Sequence, residues 1–109
     1  MAYDEGLAQR IRELLDERAG LSEKKMFGGV AFLLHGNMAV GVVKSELMVR
    51  VGPDAHPAAL REPHARPMDF TKRPMKGFVF VSEEGCEDDA ALAGWVERGV
   101  RFAASLPPK

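Results

Sequence analysis

Five of the seven prolines fall between Pro53 and Pro74. Proline lacks the backbone N–H, fixes φ and pushes the preceding residue out of the α region, so this stretch cannot hold a long uninterrupted helix. Any strand in it belongs at a sheet edge. Regular structure must therefore be built mainly from what lies on either side. At 109 residues the chain is expected to form one domain, residues 1–109.

Before the prolines, Asp4 to Ala19 reads as a helix, with Leu7, Ile11, Leu14 and Leu15 on one stripe of a 3.6-residue period. Asp4 and Glu5 suit the positive end of its dipole, and Gly20 its left-handed stop. From Lys25 the period drops to two. One strand is expected through Leu34, a second over Met38 to Val43 after a turn at Gly36-Asn37, and a third over Leu47 to Val51 after Lys44-Ser45-Glu46. Short turns imply antiparallel neighbours. Gly28-Gly29 is no phosphate loop, since a strand and not a helix follows; it reads as a bulge or a close backbone approach.

Within the proline-rich middle, Asp54 is placed to cap a short helix through Leu60, with Pro57 tolerated in its first turn. Pro67 to Phe70 reads as an edge strand, and Lys76 to Val81 as a strand rich in Phe and Val. The final helix starts at Asp88 or Asp89 and runs to about Ser105, with Leu92, Trp95, Val96, Gly99, Phe102, Ala103 and Leu106 as its stripe. The expected fold is α+β, two-layer, in the order α-β-β-β-α-β-β-α with a five-stranded antiparallel sheet. Met26, Phe32, Met38, Met48, Phe78 and Phe80 exceed what one core layer consumes, so either the sheet pairs two chains in a homodimer or helices and proline-rich segment cover both faces.

Apolar residues at 46% and charged residues at 28% fit a folded globular chain. No apolar run reaches the ~18–20 residues of a membrane span, and the start of the chain is unlike a signal peptide, so the expected compartment is the cytoplasm. The single cysteine, Cys86, excludes an internal disulfide. His35, His56 and His64 lack metal-ligand spacing, and no metal or cofactor is expected. Ser22, Ser45, Ser82 and Ser105 sit in no nucleophile elbow. Acidic neighbours Glu83, Glu84, Glu87, Asp88 and Asp89 should raise the Cys86 pKa and suppress its thiolate. No nucleophile, base and orienting group can be named together, so an enzyme is not expected.

Charge is unevenly spread. The chain carries a net −1, yet residues 61–76 hold five basic groups against two acidic ones. The basic groups are Arg61, Arg66, Lys72, Arg73 and Lys76, and Arg66-Pro67-Met68 recurs as Arg73-Pro74-Met75. Proline-stiffened arginines could present fixed forks to an anion or an acidic partner; solvated loop residues are the plainer reading. With so few cations, tight DNA binding by this domain alone is not expected.

Lys24-Lys25-Met26-Phe27-Gly28-Gly29-Val30-Ala31-Phe32, Gly36-Asn37-Met38, Leu47-Met48-Val49-Arg50-Val51-Gly52, Arg66-Pro67-Met68-Asp69-Phe70 and Met75-Lys76-Gly77-Phe78-Val79 together resemble the TfoX/Sxy family. The likeness is to that family's N-terminal domain and extends over nearly the whole chain. It implies a two-layer α-β3-α-β2-α domain. Its namesakes regulate natural competence as coactivators beside the cyclic-AMP receptor protein, and they carry a C-terminal helical domain that this chain is expected to lack. The resemblance carries no catalytic residues. It implies a non-enzymatic regulatory or protein-interaction domain whose partner is a protein, of the transcription machinery. The alternative is a small anion- or nucleic-acid-binding protein using residues 61–76.

Overall fold

Asp4 begins the regular structure twice over. Its carboxylate accepts from the backbone N–H of Leu7 at 3.1 Å, capping α1 (Glu5–Leu14), while its own N–H donates to the carbonyl of Lys44 at 2.6 Å. The cap thus fixes both where the helix starts and where it sits on the sheet. The computed structural model describes residues 3–15, 19–26, 28–67 and 77–108. Leu7, Ala8, Ile11 and Leu15 are buried, but Leu14, expected on the same stripe, is 43% exposed. Burial of Ala8 turns the buried arc of the helix away from Leu14.

Among the described residues the sheet has six strands, not the five expected: β1 (Leu21–Met26), β2 (Gly29–Leu34), β3 (Asn37–Val43), β4 (Glu46–Arg50), β5 (Ala65–Pro67) and β6 (Phe78–Val81). Their spatial order is β1-β2-β3-β4-β6-β5, and every neighbouring pair is antiparallel. The extra strand is β1. The single strand expected from Lys25 is in fact a hairpin in which Met26 pairs with Gly29. Gly28 has φ +73°, a left-handed conformation that reverses the chain where a continuous strand was expected. At Gly29 the expected close approach does occur, since a Cβ there would lie 2.0 Å from the carbonyl oxygen of Val42. The next two hairpins also close over two residues, pairing Leu34 with Asn37 and Val43 with Glu46. His35 and Gly36 both have positive φ, so this turn lies one residue earlier than Gly36-Asn37, and Asn37 opens β3.

The described chain then makes α2 (His56–Leu60), a 3₁₀ turn (Glu83–Cys86) and α3 (Asp89–Ala104). Pro57 is accommodated in the first turn of α2, but Ala55 and not Asp54 occupies the N-cap, without a side-chain bond. Asp88 caps α3, accepting from Ala91 N–H at 3.0 Å. The 16 residues of α3 span about 24 Å, enough to cross the sheet.

All three helices contribute to one apolar cluster on one sheet face, with Ile11, Ala59, Leu92 and Val96 meeting Phe32, Val40, Val49 and Val79. A second cluster holds Val43, Met48 and Phe80 buried, with Met38 and Phe78 half-buried against them. Phe32, counted above among the surplus, belongs to the helix-covered core. Of that surplus Phe32, Met48 and Phe80 are buried and Met38 and Phe78 half-buried, while the Met26 side chain lies outside the described residues. No helix among the described residues is long and apolar enough to cross a membrane.

Candidate functional site: the basic segment and the groove beside it

Arg66 lies on β5, at the sheet edge, paired across the ladder with Phe80. Its Nε donates to Glu46 Oε2 at 3.2 Å, its Nη2 pairs with the other carboxylate oxygen, and its guanidinium carbon lies 4.8 Å from the centre of the Phe80 ring. Carboxylate and ring together occupy the fork, so an incoming anion would have to compete with Glu46. Arg61 is different: it forms the C-cap of α2 and its side chain is exposed. No hydrogen bond, ion pair or ring contact joins it to Arg66 among the described residues. Lys72, Arg73 and Lys76, with the second Arg-Pro-Met triplet, lie outside the described residues.

The remaining candidate groups are scattered. His35 and His64 are exposed with positive φ, and His56 is half-buried with Nε2 unpartnered. No three His, Cys, Asp or Glu residues among those described are grouped to hold a metal ion. Cys86 is buried in the 3₁₀ turn, and its thiol is pushed up to about 11. Burial is the main cause, with Glu46 and Glu83 adding to it, while Arg10 and a backbone hydrogen bond from Leu47 act the other way. The direction matches the sequence expectation; the main cause is burial, which local acidic composition did not reveal.

A feature that sequence reasoning missed lies where α2 faces α3. Ala55, Ala58 and Ala59, which carry only methyl groups, line a groove of about 470 Å³ together with Val51 and Phe102. Phe102 is held in place from behind. Gly52 has φ +90°, and a Cβ on it would lie 2.5 Å from the ring, while the Arg50 guanidinium lies 5.3 Å from the ring centre. Arg98 and Arg101, one turn apart on α3, also line the groove. Arg98 pairs with Glu62 and lies 4.4 Å over the Trp95 ring. Arg101 is exposed and forms no ion pair among the described residues. The signal was present as two arginines at i, i+3 on the final helix and an alanine-rich turn after Pro57.

From residue 13 to residue 103 the sequence matches the model of a known family, the TfoX N-terminal domain. The chain belongs to this family. The TfoX N-terminal domain match enters within α1, takes in all six strands and α2, and ends one residue before the end of α3. Its motifs now have structural meaning. Gly28-Gly29 forms the β1–β2 reversal, Arg66-Pro67 is the edge strand, and the Gly77 carbonyl accepts from Val51 and Gly52 N–H groups at 2.8 and 3.1 Å where β6 begins. No curated protein and no solved structure matches the chain.

Proposed function

We propose that this TfoX N-terminal domain is a non-enzymatic regulatory module of the cytoplasm that acts by binding a protein, in the manner of a transcriptional coactivator. The observation that carries the reading is the family match over residues 13–103. Two features support it. The Cys86 thiol, buried and raised to about 11, stays protonated at neutral pH and is a poor nucleophile. Arg66 is engaged by Glu46, which leaves the basic segment one cation weaker for phosphate in a chain whose net charge is already −1.

The test is capture from native lysate on the immobilised domain, with both protein and nucleic acid identified across a series of salt washes, followed by reconstitution with the purified candidate. A recurrent protein of the transcription machinery that binds the purified domain directly is the expected result. Retention of nucleic acid alone, lost steadily as salt rises, would overturn the proposal in favour of anion binding through residues 61–76. So would a DNA footprint at nanomolar protein that survives competitor DNA.

A further inference from the structure

We infer that the groove between α2 and α3 is a binding site for a small aromatic carboxylate, with the ring between the alanine wall and Phe102 and the carboxylate on Arg101. This goes beyond the regulatory reading and does not depend on it. About 470 Å³ falls within the ~300–1,000 Å³ of small-molecule sites, and the lining has their usual character, apolar walls with a few polar groups. The lining sets the small side chains of Ala55, Ala58 and Ala59 on the α2 side and the Phe102 ring on α3, which suits a flat body better than a branched one.

Arg98 and Arg101 stand at the groove against one carboxylate, Glu62, and that carboxylate is already bound to Arg98. Arg101 therefore keeps its fork for a ligand, and a guanidinium matches a carboxylate in two parallel hydrogen bonds. A neutral ligand would gain no such bond.

The Phe102 ring packs against Gly52 and lies near the Arg50 guanidinium without any ligand, so little ordering of that ring is needed on binding. The α2 wall is only five residues, about 7.5 Å, too short a track for the apolar face of a partner helix, which reads several turns. A compact molecule fills it.

The experiment uses the full chain, with 4-phenylbutyrate as the probe and its neutral amide as the control, followed by backbone amide NMR shifts. Saturable shifts confined to residues 55–62 and 98–105 are expected, with the carboxylate binding about tenfold more tightly than the amide. Arg101→Gln should bring the carboxylate down to the amide, and Ala58→Leu should abolish binding of both. Ala58 and Arg101 are exposed, so both variants should keep the wild-type spectrum elsewhere and the same unfolding midpoint. Absence of saturable binding by 4-phenylbutyrate, equal binding of acid and amide, or full binding by folded Ala58→Leu would each overturn the inference. Shifts at the same amides that grow with protein concentration alone would do so too, by giving the groove to a second copy of the chain.

Discussion

Burial pushes the Cys86 thiol up to about 11 from an ordinary value of 9.0, because ionisation would place a charge in the packed turn between β6 and α3. The folded state therefore retains the proton after the unfolded chain has released it. Stability from this group is intact below about pH 9 and is lost as pH rises toward 11, by about 2–3 kcal/mol in total. Urea unfolding at pH 8 and pH 10.5 should show a larger fall for the wild type than for Cys86→Ala; equal falls would mean the thiol is not the group responsible. Arg66 shows why a local charge count misleads at this scale. Five cations in sixteen residues look like a surface awaiting an anion, but the partner of Arg66 is Glu46, twenty positions earlier, and only the β4–β6–β5 ladder brings them together. No local reading contains that pairing.

Among the elements, those with strong periodicity and good caps were legible. The helix from Asp89 to Ala104 starts on the expected Asp88 cap, and Leu92, Trp95, Val96 and Ala103 face the core as the 3.6 period requires. Trp95 is 7% exposed, so Trp95→Ala should cost about 3–5 kcal/mol, a large share of the ~5–15 kcal/mol that holds a small domain together. An unchanged denaturant midpoint would contradict the packing of α3 described above. The β1 strand was hidden for an equally physical reason. Ser22, Glu23, Lys24 and Lys25 are all exposed, so this edge strand has no apolar alternation to detect. Its register rests on the turn instead. Gly28 has open space around it and φ +73°, so the barrier to substitution there is backbone conformation and not crowding. Gly28→Asn, which tolerates the left-handed region, should lose well under 1 kcal/mol; Gly28→Val should lose about 1–2 kcal/mol or more. The two variants would unfold together if the turn were not what holds β1 in place.

Considered whole, the described residues place helix cover on one side of the sheet and leave two protected sheet edges. β1 carries charged residues along its free edge, and β5 is three residues long and ends in Pro67; both devices discourage strand addition by another chain. The α-β-β-β-β-α-β-β-α order follows from sequence apart from the first hairpin, whereas the α2–α3 groove does not, because it depends on how far apart two helices lie and on Gly52 admitting the Phe102 ring. One remaining bond sets the extent of the cooperative unit. Asn37, the one buried polar side chain among the described residues, donates from Nδ2 to the carbonyl of Pro107 at 2.9 Å. The family pattern stops at residue 103, but a chain cut after Ser105 would leave that amide inside the protein with nothing to donate to. Such a cut should lower stability by about 1–3 kcal/mol by chemical denaturation, and Asn37→Ala should then add much less than it does in the full chain. Four residues beyond the recognisable pattern thus act as a latch across the β2–β3 turn, and a fusion or tag joined upstream of Pro107 would be built onto a domain lacking that latch.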